Sequence, residues 1–132
     1  MKGFGRSLAL AAVLSGCLAS AAPVSADTAQ EVFICKLNEG KTMADLNKVV
    51  GDFKKMIVKL AGGDKYQAWL LTPTAADDLA TVVWVGEMPD AISLAALTDE
   101  YRTSDAGHEQ DKKFRKVITC KSRSIWNSAK LK

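Results

Sequence analysis

The sequence predicts an α+β domain: four strands in one antiparallel sheet, with two helices on one of its faces. Apolar residues recur at spacings of three and four from Met43 to Leu60, enough for roughly five helical turns. Short β-rich runs bounded by turn residues lie at 31–38, 66–72, 81–87 and 116–126. A second amphipathic stretch follows Asp90. The resulting order is strand, helix, strand, strand, helix, strand.

The domain is expected to begin after residue 26. Lys2 and Arg6 open the chain, Leu8 to Leu14 is apolar and small residues follow, which is the layout of a bacterial secretory signal. Two processing schemes fit. Val24-Ser25-Ala26 before Asp27 suits signal peptidase, whereas Leu14-Ser15-Gly16-Cys17 resembles the lipoprotein motif, in which Cys17 is acylated. The small apolar residues after Cys17 favour the first, giving a signal over 1–26 and one domain over 27–132. The product is then periplasmic or extracellular, and membrane-anchored only if Cys17 is acylated. Without Lys2 and Arg6, 16 basic residues face 15 acidic ones, a balance that argues against a nucleic-acid or basic membrane-binding surface.

Cys35 and Cys120 are then the two remaining thiols. In an oxidising compartment they are expected to pair, and the alternative is two buried free thiols. Closing so long a loop stabilises by roughly 4–5 kcal/mol in the chain-entropy treatment.

The first strand, 31–38, is apolar on both faces: Phe33, Cys35 and Leu37 point one way, Val32, Ile34 and Lys36 the other. Such a strand belongs at the centre of a sheet. Asn38 to Lys41 reads as a turn, with Gly40 free to take positive φ. Thr42 with Asp45 forms an approximate capping box, and Gly62-Gly63 closes the helix. Tyr66 to Thr72 is the second strand, stopped by Pro73, and Thr81 to Glu87 is the third. Asp90 caps the second helix, with Ile92, Leu94, Ala95, Leu97 and Tyr101 as its apolar surface. Gly107 interrupts the pattern, and His108 to Lys116 adds a further helical turn or two around Phe114. Lys116 to Trp126 is the fourth and most polar strand.

This βαββαβ order is the split-βαβ, or ferredoxin-like, arrangement, with right-handed crossovers giving strand order 4-1-3-2. The first and fourth strands are then neighbours, which brings Cys35 near Cys120. Both helices cover one face, and Val32 and Ile34 look outward from the other. An apolar sheet face is rarely left bare, so a homodimer through Val32 and Ile34 is expected. The architecture resembles the dimeric α/β-barrel superfamily, which includes monooxygenases and haem-degrading enzymes. The segments CKLNEGKTMADL and WVGEMPD resemble those of small exported bacterial proteins of unassigned function.

No catalytic set stands out. His108 is the chain's one histidine and lies in a polar stretch that reads as surface. The haem-degrading relatives carry an asparagine, a tryptophan and a histidine, and the resemblance matches Asn38 and Trp84 only loosely. No metal-ligand spacing, nucleophile elbow or phosphate-binding glycine loop occurs, so no metal or cofactor is expected. Trp69, Trp84 and Trp126 fall on three strands, and at least two are expected in the core. Arg123 with Glu87 could orient a polar ligand, and Asn38 sits at a strand-to-helix turn suited to a site. Asn38, Trp84, Glu87 and Arg123 are therefore the candidate ligand-binding residues. The reading favours a non-enzymatic binding or dimerisation module of the bacterial envelope over a monooxygenase-like or haem-linked enzyme.

Overall fold

The computed structural model describes residues 27–74 and 78–129. The expected signal segment, with Cys17, lies outside the described residues. The elements are β1 (Thr28–Leu37), α1 (Met43–Ile57), a 3-10 turn (Gly63–Lys65), β2 (Gln67–Leu71), β3 (Thr81–Met88), α2 (Ala91–Thr103), α3 (Asp105–Arg115) and β4 (Ile118–Ser128). The sheet order is β2-β3-β1-β4, every pair antiparallel, so the ferredoxin-like topology is as expected. No helix among the described residues is long and apolar enough to cross a membrane.

Local chemistry explains most boundaries. Gly40 turns the chain at φ 71°. At the start of α1, Thr42 Oγ1 accepts from Asp45 N while the Asp45 carboxylate accepts from Thr42 N, a complete capping box. Leu46, Phe53 and Ile57 are its buried stripe. The α-helix ends at Ile57, short of the expected Gly62-Gly63. Lys59 N and Leu60 N bond back to Met56 O and Ile57 O, so the last turn tightens into i→i+3 bonds before the glycines. In α2, Asp90 accepts from Ser93 N as the expected cap. Only Leu94 and Leu97 are buried there. Ile92 and Ala95 are exposed, contrary to expectation, because they fall on the far side of the helix from the packed stripe of Leu94 and Leu97.

The segment after α2 is a full third helix. Its break from α2 lies at Ser104, not Gly107: Ser104 is extended and its Oγ accepts from Gly107 N, capping α3. Gly107 sits against the Tyr101 carbonyl, where a Cβ would approach to 1.7 Å. Buried Gln110 donates to Val49 O and ties α3 to α1.

Alternation sorts the sheet into two faces. On the helix side lie Ala29, Glu31, Phe33 and Cys35 of β1, Val82, Trp84, Gly86 and Met88 of β3, and Ala68 and Leu70 of β2. Phe53 is the hub of this core, in edge or tilted contact with Tyr66, Trp84, Tyr101 and Phe114. Cys35 and Cys120 are register partners and are disulfide-bonded. Just beyond them the β1–β4 register shifts: Cys35 pairs with Cys120 but Ile34 pairs with Ser122, leaving Lys121 as the extra residue of a bulge.

The opposite face is open. Val32, Val83 and Val85 form its middle, with Ile34 (45% exposed), Trp69 (43%), Leu71 (53%) and Trp126 (59%) around them. Trp84 is thus the one buried tryptophan, and the expectation that two would fill the core fails. Trp69 and Trp126 have the parity of the uncovered face. Lys36, on the same face, pairs with Asp78 at 2.9 Å.

Candidate functional site

A cavity of about 580 Å³ lies between the helix side of the sheet and the helices. Its floor is β1, β3 and β4, through Glu31, Phe33, the Cys35–Cys120 pair, Trp84 and Arg123. Phe53 and Ile57 of α1 close the back. Leu94, Leu97, Thr98 and Tyr101 of α2, with Asp111, Phe114 and Arg115 of α3, form the roof. The walls are mainly apolar and aromatic, with a small set of polar groups, as small-molecule sites are generally built.

The polar groups form a relay. Trp84 Nε1 donates to Tyr66 Oη at 2.8 Å, and the Tyr66 hydroxyl donates to Glu31 Oε1 at 2.8 Å. Arg123 holds the other oxygen, Glu31 Oε2, from Nη2 at 3.0 Å and Nε at 3.3 Å. The Arg123 guanidinium also lies 5.5 Å from the Phe33 ring centroid. A buried carboxylate needs such partners, since an unpaired charge there would cost several kcal/mol. Burial, then the Glu31 charge, pushes the Tyr66 hydroxyl well above the ordinary tyrosine range, so it remains a donor at neutral pH. Across the cavity the Tyr101 hydroxyl donates to Asp111 Oδ1 at 2.9 Å, and burial followed by the Asp111 charge raises it likewise.

Gly86 makes this relay possible. It is the register partner of Glu31, and a Cβ there would lie 2.0 Å from Tyr66 Oη. Tyr66 therefore reaches Glu31 across the place where a side chain would stand.

The sequence-derived candidates separate. Trp84 and Arg123 line the cavity. Glu87 does not join Arg123: it faces the open side of the sheet, where its carboxylate accepts from Gln30 at 2.7 Å. Asn38 lies outside the cavity lining and stitches backbone, donating to Arg115 O at 2.9 Å and accepting from Thr119 Oγ1 at 2.7 Å. His108 is exposed on α3, donates from Nε2 to the Arg102 carbonyl at 2.7 Å, and does not line the cavity. The cavity thus holds no histidine to ligate haem.

Glu31, Tyr66 and Tyr101 escaped sequence reasoning. Glu31 gave one signal: it shares the period-two set of Phe33, Cys35 and Leu37, a carboxylate in an otherwise apolar series.

No known protein family matches the chain, and no curated protein matches its sequence. Solved structures do. SnoaB, a cofactor-independent oxygenase from Streptomyces nogalater, superposes with a TM-score of 0.61 at 12% identity, over 80% of this chain and 97% of its own. A NIPSNAP-family protein of unknown function from Agrobacterium tumefaciens gives 0.63 at 13% identity, over 81% and 93%. A dimeric ferredoxin-like protein of unknown function from Thermobifida fusca gives 0.51 at 11% identity, over 78% and 91%. At these identities the likeness shows the fold: that of the ferredoxin-like α/β proteins.

Proposed function

We propose that this chain is an exported, homodimeric binding protein that takes a small, largely apolar molecule between sheet and helices. The observation that carries the reading is the 580 Å³ aromatic cavity with its few fixed polar groups. Titration with N-phenyl-1-naphthylamine, a neutral fluorescent probe, tests it. Saturable 1:1 binding that is lost in Leu97→Trp, which fills the cavity, supports the reading. Binding indifferent to that substitution would place the probe elsewhere and refute it.

Dimerisation is supported by the open apolar face around Val32 and Ile34, and by the dimeric state described for the Thermobifida fusca protein. Two such faces related by a two-fold axis cover each other. Ile34→Arg is expected to give a folded monomer in sedimentation velocity. A wild-type protein that is itself monomeric removes this part. Export is supported by the signal-like residues 1–26 and by the Cys35–Cys120 pair, which suits an oxidising compartment. Intact mass of the native protein separates cleavage before Asp27 from acylation at Cys17.

A second reading, a cofactor-independent oxygenase, is favoured by one feature: a carboxylate and two phenols inside an apolar cavity on the fold that SnoaB shares. Oxygen uptake with electron-rich polycyclic phenols, abolished in Leu97→Trp, is its expected signature. Phenols that bind without uptake above the buffer rate rule it out.

A further inference from the structure

The side-chain nitrogen and oxygen atoms left without any partner in the cavity are of one kind. Both carboxylates are engaged on both oxygens. Glu31 accepts from Tyr66 and Arg123, and Asp111 accepts from Tyr101 and, at 3.5 Å, from Arg115. The Tyr66 hydroxyl both donates and accepts, so it too is used. The guanidinium groups are not. Each carries five N–H donors. Among the described residues, Arg123 commits Nε and Nη2 to Glu31 and Thr98, while its Nη1 has no partner. Arg115 commits Nη2 alone. Arg102 makes no side-chain hydrogen bond or ion pair among the described residues. It lines both this cavity and the adjoining groove between α2 and β4, which shares Arg123, Leu94 and Thr98 with it.

Among the side chains that line the cavity the unpartnered groups are therefore donors, beside an aromatic interior, while the Asp99 carboxylate lines only the adjoining groove. A neutral apolar guest would leave those donors to water. A planar carboxylate matches a guanidinium fork with two parallel bonds. We infer that the ligand is an amphipathic organic acid, with a flat apolar body against Phe53, Trp84 and Phe114 and its carboxylate at Arg102, Arg115 and Arg123. This rests on the binding function proposed above and adds the charge and orientation of the guest.

Three probes with the same body separate the two claims: 1-naphthaleneacetate, 1-naphthaleneethanol and 2-(1-naphthyl)ethylammonium, titrated calorimetrically into the wild-type protein. The acetate is expected to bind about tenfold more tightly than the alcohol, as one charge-assisted hydrogen bond at a partly exposed site would give, with the ammonium weakest. The double variant Arg102→Gln/Arg115→Gln is expected to bring the acetate-to-alcohol ratio towards one. Raising the salt should narrow the same ratio. Equal affinity of acetate and alcohol, with both lost in Leu97→Trp, overturns the inference and leaves the binding function standing. Failure of all three to bind overturns both. Acetate binding that survives Leu97→Trp lies outside the cavity and also overturns the inference.

Discussion

Removing one oxygen atom tests the logic of the site most directly. Tyr66→Phe keeps the ring that packs edge-on to Phe53 but deletes the hydroxyl between Trp84 and Glu31. Trp84 is 8% exposed, so its Nε1–H loses its acceptor with little access to water. A buried orphan donor costs about 1–3 kcal/mol. Glu31 loses one charge-assisted hydrogen bond, worth roughly 1.5–3 kcal/mol, but keeps Arg123 and can take water from the cavity, which favours the low end of that range. Against both stands the relief of no longer burying a hydroxyl, about 1 kcal/mol. The net is about 2–3 kcal/mol of destabilisation. For a domain near 100 residues this lowers Tm by roughly 10–20 °C. Thermal unfolding followed by far-UV circular dichroism measures it. A Trp69→Phe/Trp126→Phe background, leaving Trp84 as the sole indole, reports on the site itself through its emission. A Tm within about 3 °C of the parent, with unchanged emission, would refute the claim that the hydroxyl joins indole to carboxylate.

Other outcomes follow from the same geometry. Gly86→Ala should cost about 1–3 kcal/mol, since its Cβ meets the Tyr66 hydroxyl and ring. Its effect and that of Tyr66→Phe should be non-additive in a double-mutant cycle, and strict additivity counts against contact between the two sites. The chain's two tyrosines, Tyr66 and Tyr101, both lie in the cavity region with raised pKa values. Their contribution to stability is therefore full below the ordinary value of 10.0 and is lost as pH climbs through the folded values. Absorbance at the tyrosinate band should rise together with unfolding, not as a simple titration centred near pH 10 in a folded protein. Reduction should add 2 Da through the Cys35–Cys120 bond and lower stability by no more than roughly 4–5 kcal/mol. An unreacted mass under denaturing reduction would show that the two thiols are not joined.

Elements declared by period or by cap were legible in the sequence. The stripe from Met43 to Ile57, the Thr42 and Asp90 caps and the apolar runs of β1 and β3 gave order, topology and the cysteine pairing, because each depends on neighbours a few residues apart. The cavity was half legible. The sequence points to Trp84 and Arg123, but it also pairs Glu87 with Arg123, because regular alternation along β3 and β4 would give the two one face. The bulge in β4 puts them on opposite faces, and nothing in the local sequence announces it. Tyr101 reads only as apolar surface and Tyr66 only as the start of a strand, because a phenol's partner is set by tertiary placement, for Tyr66 by the missing Cβ of Gly86 on β3. Glu31 is hidden by neighbours that announce a core strand, and a lone carboxylate in such a run declares itself only when its donors are seen.

The bulge at Lys121 decides the chemistry of the cavity. Cys120 and Arg123 are three positions apart, and a strictly pleated strand can present only one of them to a given face. The extra residue resets the count, so the crosslink and the guanidinium both face inward. Had β4 kept step with β1, Ser122 and Ser124 would occupy the inward places, and Arg123 would lie opposite Val32 on the open face that Glu87 shares. The disulfide clamps one side of the slip and the Glu31–Arg123 pair holds the other. A single residue out of phase is thus what turns an edge strand into a wall with a charge on it.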